Sequence, residues 1–230
     1  MTRDDLKEFN LQLFQPRDGY RYSLDPLLLA RFCAEVNPDG IVADLGAGCG
    51  IIGLVLARIH PTVTVVAVEN NPDMVALVQK NIQHNGLADR VTVYAEDVVS
   101  IRTVVPVSQC DLVVCNPPFR TVGSGRISPK AGRDAARHET TAGLADFLAA
   151  AKYLVKPSGR ICFIQLPSRL QEFMALAELQ KLSVLRLRMV HSTAASPATM
   201  FMAELAKGRR TAPVVEAPLF VRDMSGAYTE

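Results

Sequence analysis

From residue 40 to residue 115 the chain repeats one order: a short apolar run, a stretch with helical spacing, then another apolar run. "GIVADLGAG" (40–48) predicts a buried strand entering a glycine-rich turn, and "IIGLVLARIH" (51–60) predicts a helix that Pro61 stops. "VTVVAVE" (63–69) is β-branched and apolar, the pattern of a central parallel strand covered on both faces. In "NNPDMVALVQKNIQHNG", Asn71 predicts a cap, Pro72 the first helical position and Gly86 the close of the helix. "VTVYAED" (91–97) and "CDLVVC" (110–115) predict a third and a fourth strand. "GLADFLAAAKYLVKPSG" (143–159) predicts a helix ending in a proline-containing turn, followed by a strand at 160–166 and a helix from about Ser168. "SVLRLRMVHS" and "ATMFMAELAKG" predict two late strands with no helix between them, hence an antiparallel pair.

Strands alternating with helices predict an α/β fold: a mostly parallel sheet, helices on both faces and an antiparallel edge from the late pair. Upstream, "GYRYSLDPLLLARFCAEV" (19–36) predicts a short hairpin or turn feeding a helix capped by Asp25 and opened by Pro26. Residues 1–36 are therefore expected to form a cap segment packed on a main domain of residues 37–230.

Composition narrows this little. A 230-residue chain that is 49% hydrophobic suits one α/β domain with small additions. A net charge of +2 neither demands nor excludes nucleic acid. The cysteines at 33, 49, 110, 115 and 162 are odd in number and form no CxxC pair, as expected of buried reduced thiols in a cytoplasmic protein. The charged start "MTRDDLKEFNLQLF" offers no secretory signal, and no apolar run approaches the ~18 residues of a membrane span. His60, His84, His138 and His191 lack metal-ligand spacing, and no metal is expected.

The first chemistry lies in "DLGAGCG". Gly46, Gly48 and Gly50 follow a predicted strand and precede a predicted helix, and Asp44 opens the motif. A second acid, Glu69, ends the next strand, where such a carboxylate takes ribose hydroxyls; Asn70 adjoins it. A pyrophosphate cofactor uses GxGxxG and a helix N-terminus. Here the acid inside the turn would repel a diphosphate but suits a cationic cofactor, S-adenosylmethionine, with its ammonium and sulfonium. A nicotinamide cofactor and a ligand-free turn are the alternatives. Asp97, in "AEDV", is the third acid at the carboxyl end of a successive strand, where open α/β sheets bind ligands. Asp44 is expected toward the methionine portion, Glu69 on the ribose, and Asp97 on the adenine amino group with Val98 packed nearby.

The fourth strand ends in "NPPF". Two prolines cannot continue a ladder, and Asn116, preceding one, is pushed toward extended backbone. The Asn116 side-chain carbonyl and the Pro117 backbone carbonyl are adjacent acceptors that could hold both hydrogens of a planar amino group. Such a grip aims a poorly nucleophilic nitrogen at a methyl donor, and Phe119 offers a flat face for stacking a base.

Together, "DLGAGCG", "AVE", "AED" and "NPPF" resemble the ordered motifs of class I methyltransferases acting on exocyclic or amide nitrogens, whose tetrapeptide is usually [D/N]PP[Y/F/W]. The resemblance implies a Rossmann-like seven-stranded sheet, mostly parallel, with the last strand inserted antiparallel. More narrowly, "GYRYSLDPLLLARF", "ARHETTAGLADFLAAAKYLVKPSGR" and "PLFVRDMSGAYTE" resemble the bacterial tRNA(Val) adenine-N6 methyltransferase family, which implies methylation of the adenine beside the anticodon. Many adenine enzymes carry Tyr where this chain has Phe119, whereas Phe is common in relatives that modify guanine N2 of ribosomal RNA. A protein glutamine acceptor and a non-catalytic RNA-binding module are the other rivals.

After the tetrapeptide, "RTVGSGRISPKAGRDAARHE" carries Arg120, Arg126, Lys130 and Arg133, expected to contact RNA phosphates; an ordinary solvated loop is the alternative. Arg186 and Arg188, with Lys207, Arg209 and Arg210, could widen a basic face.

Overall fold

The computed structural model describes residues 1–16, 24–119, 142–208, 211–223 and 225–229. The expected alternation is present: β3 (Ile41–Leu45), α2 (Ile51–Ile59), β4 (Thr64–Glu69), α3 (Pro72–His84), β5 (Val91–Ala95), β6 (Cys110–Cys115), α4 (Leu144–Leu154), β7 (Val155–Gln165), α5 (Leu170–Leu179), β8 (Leu182–His191) and β9 (Ala198–Lys207). Before them come β1 (Thr2–Leu6), β2 (Leu11–Gln15) and α1 (Asp25–Ala34); after them, the two-residue strands β10 (Val214–Val215) and β11 (Leu219–Phe220).

The main sheet runs β10-β8-β9-β7-β6-β3-β4-β5, with β11 also on β8. β3, β4, β5, β6 and β7 are mutually parallel. β9 runs against both β7 and β8. The late hairpin is thus antiparallel as expected, but β9, its second strand, is inserted between β7 and β8, as the family resemblance implied. From β3 the chain steps outward through β4 to β5, then crosses back to β6 on β3's other side. The carboxyl ends of β3 and β6 therefore flank a topological switch point, where open α/β sheets leave a crevice.

Alternate residues of each strand feed opposite layers. Val42, Leu112, Val114, Cys162 and Ile164 pack with α1, α2 and α3, while Ala43, Leu45, Val113, Cys115 and Phe163 pack with α4 and α5. Helix α2 is buried all round from Ile51 to Ala57 because α1 covers its outer side, which explains its lack of a polar face. All five cysteines are buried free thiols.

Three details depart from the sequence reading. The helix expected over 143–159 ends at Leu154, and β7 begins at once with Val155, whose backbone is extended. Pro157 is excluded from a helix interior, and a bulge between Cys110 and Leu112 lets β6 pair with the early start. Asp25 is the first residue inside α1, not its cap, which is Leu24. The N-terminal segment also holds a hairpin, β1–β2, turning through Asn10 at φ 50°. The turn expected from residue 19 to residue 23 lies outside the described residues.

Arg186 and Arg188 are not a free basic face. Arg186 pairs with Glu35 beside α1, Glu204 on β9 and Glu216 beyond β10, and its guanidinium lies 3.8 Å from the Phe32 ring centroid. Arg188 binds Glu35 at 2.8 Å and Glu216 at 2.7 Å. Burial would raise the Glu35 carboxyl, but the bonds from Arg188 and Arg186 hold it below its usual range. The two arginines fasten α1 and the C-terminal segment to the sheet edge. Arg186→Ala is expected to destabilise the protein by about 3 kcal/mol in urea melts, because Glu204 is left buried with one partner, Arg160. A loss no larger than a few tenths would make this a surface pair.

Candidate functional site

The turn after β3 is built on left-handed backbone. Gly46, Gly48 and Gly50 have φ of 70°, 57° and 83°. At Gly48 nothing would crowd a side chain, so its backbone conformation alone requires glycine. The Gly48 N–H donates to Glu69 Oε2 at 2.8 Å, and Glu69 Oε1 accepts from the Asn71 N–H at 2.9 Å. Glu69 thus joins the ends of β3 and β4. Burial raises its carboxyl, the backbone N–H groups of Asn71, Gly48 and Asn70 oppose this, and the Asp97 charge adds to the rise.

Asp97 lies two residues past β5 and caps the short 3₁₀ helix Val98–Thr103, accepting the Val99 N–H at 3.0 Å. Its other oxygen accepts from Asn70 Nδ2 at 2.9 Å. Glu69, Asn70 and Asp97 therefore hold one another in a fixed polar wall.

Asp44 stands elsewhere. Its side chain is 1% exposed and lines neither cavity of the site. It sits beneath the turn, with Oδ2 accepting the Gly53 N–H at 2.9 Å, while Oδ1 has no hydrogen-bond partner among the described residues. Gly53 is the third helical residue of α2, and the N-cap, Gly50, has no side chain to satisfy that N–H. Asp44 caps α2 from the neighbouring strand, where a helix N-terminus favours negative charge. Burial nevertheless pushes its carboxyl up to about 7, with the Gly53 bond opposing and the Glu69 charge adding.

A cavity of about 720 Å³ opens over the switch point, within the range of small-molecule sites. Gly46, Gly48, Glu69, Asn70, Asp97 and Val98 line one side; Asn116, Pro117 and Phe119 line the other. A smaller cavity of about 70 Å³ continues from it, sharing Gly46, Gly48, Met74 and Asn116. Gly50 lines neither; as the N-cap of α2 it shapes the turn. Every other sequence-derived cofactor residue except Asp44 thus meets at one crevice, with the tetrapeptide opposite. The expected RNA contacts Arg120, Arg126, Lys130 and Arg133 lie outside the described residues.

Sequence reasoning missed several lining residues. Phe147 on α4 faces the crevice and would crowd a side chain at Gly46, its ring lying 3.2 Å from where a Cβ would stand. Gln15, Pro16 and Pro26 reach the smaller cavity from β2 and α1. No local spacing marks them, since they arrive from elements distant in sequence. Among the described lining residues of both cavities there is no Lys, Arg or His, while Glu69, Glu96 and Asp97 line the larger one. Such a lining suits a cationic ligand and opposes a diphosphate.

Comparison with known proteins agrees with this geometry. Residues 25–181 match the methyltransferase small domain family. A Porphyromonas gingivalis protein named tRNA1(Val) (adenine(37)-N6)-methyltransferase is 30% identical over 178 residues, covering 75% of this chain and 69% of that one. A Pectobacterium carotovorum protein of the same name is 29% identical over 228 residues, covering 93% and 90%. The crystal structure of a predicted O-methyltransferase, Atu636 from Agrobacterium tumefaciens, superposes with a TM-score of 0.67 at 20% identity, covering 82% of this chain and 84% of that one, a likeness of fold. With the family matched across both walls of the crevice, the chain belongs to the methyltransferase small domain family.

Proposed function

We propose that the chain is an S-adenosylmethionine-dependent methyltransferase that modifies the exocyclic N6 of an adenine in tRNA. The observation that carries this reading is Asn116, which closes β6 where the two cavities meet and lines both. The names of the relatives support the tRNA adenine assignment.

In this reading Glu69 receives the ribose hydroxyls, and Asp97 receives the adenine amino group of the cofactor, with Val98 packed against the ring. The Gly46–Gly50 turn lets backbone approach the methionine end, which extends into the smaller cavity beside Gln15 and Pro26. Bound there, S-adenosylmethionine supplies an electrophilic methyl on a sulfonium. The acidic, cation-free lining fits that charge. Asn116 and the Pro117 carbonyl hold the target amino group by its hydrogens, and Phe119 stacks the target base. These groups work through position and electrostatics, without a strong base. The cap of residues 1–36, the main domain of 37–230, and a cytoplasmic site of action among tRNAs belong to the same reading. Among the described residues no helix is long and apolar enough to cross a membrane.

The test uses labelled S-adenosylmethionine with total tRNA, rRNA or protein from a strain lacking the gene. Label is expected in N6-methyladenosine of tRNA. Label in N2-methylguanosine of rRNA would transfer the assignment to the Phe119-bearing guanine enzymes, and label in protein glutamine would overturn the nucleic-acid reading. A second measurement addresses the basic segment. Replacing Arg126, Lys130 and Arg133 together by Ala is expected to flatten the salt dependence of tRNA binding by about two to three in the log–log slope. An unchanged slope removes those residues from the RNA interface.

A further inference from the structure

Strand β2 has β1 along one edge, and among the described residues its other edge meets no strand. Two side-chain amides from α3 and its cap occupy that edge. Asn85 Oδ1 accepts the Gln12 N–H at 2.9 Å and its Nδ2 donates to the Gln12 carbonyl at 2.8 Å. One turn earlier, Asn81 Oδ1 accepts the Phe14 N–H at 2.8 Å and its Nδ2 donates to the Phe14 carbonyl at 3.1 Å. Spaced four apart on one helix face, they meet alternate residues of β2 as a neighbouring strand would.

Asn81 does one thing more. It is fully buried, and its Nδ2 also donates to the Cys49 carbonyl at 2.9 Å. That carbonyl belongs to the glycine turn. It lies one residue before Gly50, the N-cap of α2, so no helical N–H is due to it. One carboxamide therefore ties the hairpin and the turn to the same helix. These two elements face each other across the smaller cavity, Gln15 and Pro16 on one wall and Gly46, Gly48 and Cys49 on the other.

We infer that Asn81 is a positioning residue for the cofactor: it couples docking of the N-terminal hairpin on α3 to the shape of the glycine turn, so hairpin docking and cofactor binding strengthen each other. The inference rests on the reading above that the methionine end enters the smaller cavity. A ligand held between both walls stabilises the docked hairpin, and by reciprocity an undocked hairpin weakens the ligand.

The amides of Gln12 and Phe14 point at the asparagines, so their hydrogen exchange reports docking directly. In the intact protein, saturating S-adenosylhomocysteine is expected to slow exchange at both by about tenfold. Asn85 lines neither cavity, so Asn85→Ala loosens the hairpin without touching the ligand's walls. It is expected to raise the dissociation constant for S-adenosylhomocysteine about fivefold and KM for S-adenosylmethionine to match, with kcat at saturation unchanged. Asn81→Ala, which also frees the Cys49 carbonyl, is expected to raise both by about twentyfold. A merely structural role would lower the folded fraction and kcat while leaving KM alone, and that pattern overturns the inference. So does a wild-type protein that binds S-adenosylhomocysteine with no change in exchange at Phe14; this result decides even if Asn81→Ala does not fold. A wild-type protein that binds no S-adenosylhomocysteine removes the underlying reading as well.

Discussion

Asn116→Ala is expected to lower methyl transfer at saturating S-adenosylmethionine by about 10²–10³-fold, the usual loss when one preorganised polar group is removed from a reacting centre. Cofactor affinity should stay within a few-fold. The residue sits where strand pairing ends: Cys115 still pairs with Leu45 and Phe163, while Pro117 and Pro118 have no N–H to offer. The backbone is thereby held stiff, and the side chain reaches the junction of both cavities. Glu69, Asn70, Asp97 and Val98, the residues proposed to hold the cofactor, line the same crevice and do not depend on it. Asn116→Asp keeps an acceptor oxygen and should retain more activity than the alanine variant. Equilibrium cofactor binding and single-turnover methylation, measured side by side, check the expectation. Turnover by Asn116→Ala within a few-fold of wild type would remove Asn116 from the mechanism. Loss of cofactor binding in parallel with turnover would make it a cofactor residue first.

The parts of this site legible in the sequence are those in which function and local geometry share one short segment. A glycine turn, an acid ending the next strand and a proline-bound corner each announce themselves within a few residues. The parallel order of the strands then brings them to one rim. Contributions that depend on distant partners were not legible. Arg186 and Arg188 alternate along β8 like a basic stripe until Glu35, Glu204 and Glu216 arrive from three other places. The β1–β2 hairpin is short and charged on its outer face, and its partner is a pair of asparagine side chains, so no strand signal points to it. Gln15 becomes a cavity wall only because of that docking. Asp44 illustrates both sides. Its place in the motif was plain, but its burial beneath the turn and its service to α2 follow from Gly50 having no side chain to offer.

That burial makes Asp44 the group whose replacement should most change the pH profile of stability. Its carboxyl is pushed up to about 7 from 3.8, so between these values the folded protein binds a proton that the unfolded chain has released. Its contribution is complete below about pH 4, falls as pH rises and is gone above about 7. The gap from 3.8 to about 7 corresponds to roughly 4 kcal/mol. Glu69 titrates with the same sign, and Glu35 and Glu172, held low by arginines, with the opposite sign, so the wild-type curve alone cannot isolate Asp44. The difference from Asp44→Asn does. The asparagine oxygen can still accept the Gly53 N–H and carries no charge to bury. Between pH 4 and 7 wild type should lose roughly 4 kcal/mol relative to this variant in urea melts. A difference curve flat across that window would mean that Asp44 is ionised throughout, with its charge compensated. A cationic cofactor could provide such compensation. In wild type, then, S-adenosylmethionine should bind more tightly as pH rises from 6 to 8 and release a proton as it binds, whereas Asp44→Asn should show both effects reduced to what Glu69 contributes. Equal pH dependence in the two proteins would leave Asp44 as a helix cap alone.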